Sequence, residues 1–366
     1  MLEFRHHPLQ MKIIFSPVLS SALVRGFVLS DIIYAMEYKI LKEDPFNILA
    51  TTKKVVENPQ YVFINEEKIY NVLAGKILER FNKGINSEYE EGFRFSEKIE
   101  DNLQLSFIEN VVNFCFWPEK GEQKWEVEYP AGRKSYGGWY GLVSCFDRGI
   151  AEGIPILDSS YLSNFTFEEA SRFFRGKSNT EIPLLNERVA NLREAGEVLF
   201  KKFGGKIVKL LEANDYDSVK ITKSIYENFS SFKDISNLDG GEVFFLKRAQ
   251  ICANDFSYVL KNTENKITNL DKMTAYADYK LPQLLRMFGV ISYSKSLSDK
   301  VDNMIGITHD SREEIEIRSA TIWAVELLRQ HISVLTTGEI DNTIWLMSQD
   351  IQNESKPYHR SRTIFY

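Results

Sequence analysis

Histidine is scarce in this sequence. His6, His7, His309, His331 and His359 are the full complement, and no two of them sit at metal-ligand spacing on one helix. A zinc hydrolase would lack its ligands, and a Ser-His-Asp enzyme would lack a placed base, so no metal site is expected. Cysteine is scarcer still. Cys115, Cys145 and Cys252 are odd in number, far apart and embedded in apolar sequence. They predict reduced core thiols of an intracellular, cytoplasmic protein, not disulfides or zinc ligands.

Long apolar runs are also missing. No stretch of roughly 18 or more apolar residues occurs, so no transmembrane helix and no membrane partner are expected. The closest segment, MKIIFSPVLSSALVRGFVLSDIIYAM, is interrupted by Arg25 and Asp31, and no small-residue cleavage signature follows it. It reads as an extra packed helix in an N-terminal extension, residues 1–39, with a presequence or a membrane-surface helix as alternatives. Excess positive charge is absent too: the net charge is −6 and the pI about 5.6. A domain gripping a duplex through many phosphates needs a basic surface. No direct nucleic-acid binding is expected, although a pocket for a single phosphate is compatible with this balance.

Two glycine motifs fall short. RGKSNT (Arg175–Thr180) resembles the end of a P-loop, but Ser171 stands where the leading glycine belongs and no buried strand precedes it. GGWYGL lacks the spacing of a dinucleotide fingerprint.

What is present is a globular composition, 43% hydrophobic and 13% aromatic. Most of the chain reads as amphipathic helices. EKIYNVLAGKILERF, LLNERVANLREAGEVLFKKFGG and SREEIEIRSATIWAVELLRQHI have apolar residues at three- and four-residue spacing. The second is stopped by Gly204 and Gly205, and the third carries acids first and bases last, as the helix dipole prefers. KWEVEYP alternates like a strand. These signals predict a single, mainly α domain from about residue 40 to 340 with a few short strands, followed by a tail, 341–366, that is polar and frayed after Gln352.

Two segments carry candidate chemistry. In VFFLKRAQICANDF (Val243–Phe256), read as helical throughout, Phe245, Leu246, Ala249, Cys252, Ala253 and Phe256 form one broad face. Lys247, Gln250, Asn254 and Tyr258 gather opposite, with Val243, Phe244 and Ile251 beside them. That strip is either a solvated face or the wall of a cleft. In MTAYADYKLPQLLRMFG (Met273–Gly289), Thr274 or Asp271 could cap a second helix, with Asp278 near its first turns and Pro282 kinking it or displacing its start. A lysine on one arm and an aspartate on the other suit N-glycoside cleavage, whose oxocarbenium-like transition state an anion stabilises. A cap or a salt bridge is the structural alternative for Asp278.

An ordered set of motifs resembles the queuosine salvage family, the queuosine 5′-phosphate N-glycosylases. It comprises FCFWPEKGEQKWEVEY, GGWYGLVSCFDRGIAEGIPILD, IPLLNERVANLREAG, FLKRAQICANDF, MTAYADYKLPQLLRMFGVISYS and EIEIRSATIWAVELL, spanning about residues 40–335. The resemblance implies a helical fold similar to helix-hairpin-helix DNA glycosylases. It also implies hydrolysis of queuosine 5′-monophosphate to queuine and ribose 5-phosphate, with no cofactor. By the same resemblance Asp278 is the central catalytic residue, and Lys247 orients it, keeps it ionised or contacts the ribose or phosphate. Asp255 would receive hydrogen bonds from queuine, Trp139, Tyr140 and Tyr279 would stack on the base or wall the pocket, and Phe244 would border it. Glu316 and Arg318 would line the phosphate or cyclopentenediol region, unless they form a structural ion pair. A non-catalytic binder of a modified nucleoside or tRNA, and an N-glycosidase for another purine nucleotide, are the competing functions. Asn254, Phe256 and the Ala275-Tyr276 pair depart from the family's usual wording and bear on fine specificity.

Overall fold

The computed structural model describes residues 38–83, 96–132, 134–351 and 355–366. Of the expected N-terminal extension, residues 1–37 lie outside the described part. The fold is mainly α. The helix expected from SREEIEIRSATIWAVELLRQHI runs Arg312–His331, and Ser311 starts it by accepting the Glu314 amide at 3.3 Å. Every residue from Glu313 to Leu328 is buried, so this helix is the axis of the domain and not an amphipathic rim. Ile48–Val56 lies against it. There Trp323 Nε1 donates to Thr52 Oγ1 at 3.1 Å, and Tyr38 meets the Trp323 ring edge-on at 5.1 Å.

Among the described residues the strands form three two-stranded antiparallel ladders. Val62–Ile64 pairs with Ile291–Tyr293, Glu126–Val127 with Tyr136–Gly137, and Ile235–Leu238 with Gly241–Phe244. The strand expected at KWEVEYP is the second of these. The helix Leu185–Phe203 stops where expected, with Gly204 and Gly205 at positive φ.

Two expectations need correction. The helix carrying Lys247 does not begin at Val243; it runs Lys247–Val259, and Val243 and Phe244 belong to a β-hairpin. Asp239 and Gly240 both take positive φ (52° and 79°), the two-residue turn that an Asp-Gly pair favours because few other residues tolerate it. The tail is not frayed either. After the helix Thr337–Asp350, opened by a Thr336/Glu339 capping box, the chain returns to the core. His359, Ser361, Thr363 and Tyr366 are buried, and Tyr366 packs among Phe114, Cys115, Trp117 and Tyr279. Its carbonyl accepts the Cys115 amide at 2.9 Å. All three cysteines are buried and unpaired, and burial pushes the thiols of Cys115 and Cys145 up to about 11 and 12, which makes them inert.

Candidate active site

Lys247 is the first residue of its helix, and the turn before it is tightly held. The amides of Phe245 and Leu246 both donate to the carbonyl of Asp234 at 3.1 Å, and the Lys247 amide donates to Asp234 Oδ2 at 3.1 Å. Leu246 is fully buried at φ 50°, a left-handed conformation that a leucine keeps only when its surroundings impose it. Asp234 is gripped in turn by Arg318, whose Nη1 and Nη2 lie 2.8 and 2.6 Å from its two oxygens. The lysine side chain, 5% exposed, is thereby delivered to the floor of a cleft.

Asp278 reaches the same cleft from another direction. It precedes the helix Lys280–Met287, and its Oδ1 accepts the amides of Lys280 (2.6 Å) and Leu281 (3.0 Å). The capping alternative is therefore correct as geometry, but it engages one oxygen, and Oδ2 has no hydrogen-bond partner among the described residues. Asp278 does not sit on the second helix; it sits two residues ahead of it. Pro282 is the third helical residue, where its missing N–H costs nothing. Thr274 is not a helix cap: its hydroxyl and amide engage the Gln250 side chain.

The cleft has two lobes, enclosing about 420 and 400 Å³ of empty space, part of it open to solvent. Asn113, Trp139, Lys247, Asp278 and Trp345 line both and mark the waist between them. One lobe is completed by Ile251, Tyr276, Leu281, Asp341 and Asn342. The other is completed by Phe114, Phe116, Gly138, Tyr279, Lys280 and Gln349, with Tyr366 behind. A larger cavity, with about 1010 Å³ of empty space and lined by Ile150, Pro155, Phe200 and Lys206, lies elsewhere. Its one carboxylate, Asp158, caps a helix through the Ser160 and Tyr161 amides, so the chemistry points to the bilobed cleft.

The electrostatics single out three groups. Burial lowers the Lys247 ammonium below its ordinary value, and the charge of Asp278 is the main opposing influence. Asp341, buried on the helix Thr337–Asp350, is pushed up to about 8, first by burial and then by the Asp278 charge, against the hydrogen bond that Tyr276 N donates to it at 2.7 Å. Burial likewise lowers Lys280 to about 8, with Asp278 opposing.

A sequence model described as queuosine salvage protein matches residues 93–366. The chain belongs to the queuosine salvage family. The match includes the C-terminal segment, which the motif resemblance had left outside. A protein of Sphaerobacter thermophilus named queuosine 5′-phosphate N-glycosylase/hydrolase is 34% identical over 328 residues, covering 88% of this chain and 98% of that one. A bovine protein of the same name is 31% identical over 336 residues, covering 86% and 97%.

In this family member the structure brings together Lys247, Asp278, Trp139 and Tyr279, all lining the cleft. Five expected residues do not line it. Tyr140 packs against Trp345, ring centroids 5.6 Å apart, and so backs a wall residue. Asp255 lies fully buried, accepting Asn110 Nδ2 at 2.7 Å, while Asn113 Nδ2 donates to Asn110 Oδ1 at 3.4 Å. It reaches the waist through two asparagines. Glu316 binds the amides of Gln60, Tyr61 and Val62, and Arg318 pairs with Asp234, so the two have separate partners in the fold. Phe244 sits in the hairpin, its amide donating to Thr51 Oγ1 at 3.2 Å. Asn113, Lys280, Asp341, Asn342 and Trp345 were not foreseen. The glycines of GGWYG serve the backbone: Gly138 sits at φ 62°, and a Cβ on Gly137 would stand 3.0 Å from Trp125 O.

No helix among the described residues is long and apolar enough to cross a membrane.

Proposed function

We propose that this chain hydrolyses the N-glycosidic bond of queuosine 5′-monophosphate, releasing queuine and ribose 5-phosphate. The observation that carries this reading is the waist: Lys247 and Asp278 border both lobes, and a second carboxyl, Asp341, faces only one of them. A nucleotide has the same tripartite form, a base and a phosphate on either side of a ribose. The Asp341 lobe offers the edge-reading groups a deazaguanine needs, Asp341 and Asn342, and the rings of Trp139 and Trp345 in the same lining.

Position 7 of queuine is carbon, so the nitrogen that a purine glycosidase commonly protonates is missing. The two carboxyls divide the remaining work. Water bonds to C1′ as the C1′–N bond breaks, and the electron pair leaves with the base. Asp278 Oδ2 faces the sugar as positive charge develops and takes the surplus proton of the attacking water. Asp341, held protonated near neutrality, gives a proton to the departing base. The sum is one water added across one bond. Two carboxyls with opposite roles, set apart by their surroundings, are a recurrent solution to acid–base chemistry at one pH. Lys247 offsets the charge of Asp278, and that of Asp341 once its proton has gone to the base.

The test is incubation of the purified chain with queuosine 5′-monophosphate or guanosine 5′-monophosphate, with mass detection of free base and sugar phosphate. Queuine release at least about tenfold faster than guanine release is expected, because a site that hydrogen-bonds a substituent discriminates against its loss. Equal rates, or no queuine, would sink the reading.

A further inference from the structure

We infer that Lys280 is the phosphate anchor of the cleft and sets its preference for a nucleotide over a nucleoside, an inference that rests on the function proposed above. If the scissile bond lies at the waist and the base fills the Asp341 lobe, the 5′ substituent of the ribose must extend into the other lobe. That lobe has a cation suited to it. Lys280 borders it two residues beyond Asp278, so sugar and phosphate would be read by adjacent turns of one segment.

The ammonium is aimed by its neighbours. Lys280 Nζ donates to Gln283 Oε1 at 3.2 Å and lies 5.2 Å from the centre of the Tyr358 ring. Gln283 is itself fixed by donating to Ser355 Oγ (3.0 Å) and Lys356 O (2.7 Å). Two further features of the same lobe favour an anion. Gly138 and Trp139, which line it, open the helix Gly138–Ala151, so the positive end of that helix dipole borders the lobe. Lys247, 95% buried by its 5% exposure, has no hydrogen-bond or ion-pair partner for its ammonium among the described residues, and it lines the lobe as well. Lys124, beside Gly137, is close enough for its charge to act on Lys280. Asp278 is the one side-chain carboxylate among the described residues that line this lobe. A dianionic phosphate would meet cations on one side and the start of a helix on the other.

The experiment measures kcat/KM for queuosine 5′-monophosphate and for queuosine with the parent chain, Lys280→Met and Lys280→Arg. Binding of ribose 5-phosphate and of ribose is titrated in parallel by a shift in protein melting. The parent should prefer the nucleotide. In Lys280→Met the nucleotide-to-nucleoside ratio should fall roughly 10- to 100-fold, as the loss of one charge-assisted contact requires. Lys280→Arg should restore most of it, and stabilisation by ribose 5-phosphate should disappear in Lys280→Met alone. An unchanged ratio, or equal losses on both substrates, overturns the assignment. A parent that cleaves both substrates equally overturns it while leaving the glycosidase reading intact. A parent that cleaves neither removes that reading, and the ribose 5-phosphate titration then decides the anchor by itself.

Discussion

Asp278 raises the proton affinity of Asp341. The two carboxyls border one lobe, and the charge of the first adds to burial in holding the second near 8. The link is also covalent in a sense, because Tyr276, two residues before Asp278, donates its amide to Asp341 Oδ2 at 2.7 Å. A shift of the segment bearing one acid therefore moves the other.

Asp278 combines a cap with a chemical role, and substitution separates them. Asp278→Asn keeps an oxygen for the Lys280 and Leu281 amides, so its melting temperature should stay close to the parent's. Turnover should fall on the order of a hundredfold or more. Asp278→Ala should lose about 1 kcal/mol of stability in addition. A threefold loss of turnover in the asparagine variant would remove Asp278 from the reaction.

The proton on Asp341 predicts a pH limb. If the protonated form serves the departing base, kcat/KM should decline as pH rises through about 8. Asp341→Asn cannot ionise, so with queuosine, which has no phosphate for Lys280 to hold, its profile should be slower throughout and flat over that range. A parent limb that persists unchanged in the variant assigns the titration to another group.

Arg318 should prove structural. It is wholly buried, bound to both oxygens of Asp234, and its Nε donates to the carbonyl of Ala277 at 3.3 Å, so it braces both the Lys247 turn and the approach to Asp278. Arg318→Met leaves the Asp234 charge without its partner and should cost about 3–5 kcal/mol in denaturant unfolding. A variant that instead unfolds like the parent but shows a tenfold higher KM would return Arg318 to the substrate.

Glu109 tests the electrostatics of the core. Among the described residues neither of its carboxylate oxygens has a hydrogen-bond partner, and burial, helped by Asp147 and Asp255, holds its pKa well above the ordinary 4.5. A carboxyl that binds its proton more tightly when folded leaves stability greatest below 4.5, and stability is lost as pH climbs toward the folded value. Glu109→Gln should match the parent near pH 4.5 and unfold at a higher denaturant concentration at pH 8. The opposite order at pH 8 would mean that the carboxylate has a stabilising partner.

The legible parts were those with local causes. Helix Arg312–His331 announced itself by spacing, caps and terminal charge, and Lys247 and Asp278 were singled out by polarity in apolar surroundings. The same logic misassigned Glu316 and Arg318. A charge inside an apolar helix signals a partner without saying whether that partner is a ligand, backbone amides or an aspartate. Asp341 was missed because it falls at the start of the segment read as a tail; its burial arises from contact with a segment 65 positions away. The Asp239-Gly240 hairpin is readable from its turn residues, but the apolar run after it matches helical spacing equally well.

Tyr366 carries a consequence for how activity is lost. Its carbonyl holds the Cys115 amide and its hydroxyl donates to Glu314 at 2.8 Å, so strands of polypeptide about 250 positions apart close one wall. No fragment of such a chain can assemble the wall in advance. Catalytic competence should then vanish in a single cooperative step with tertiary structure on heating, leaving no partly melted species that still turns over.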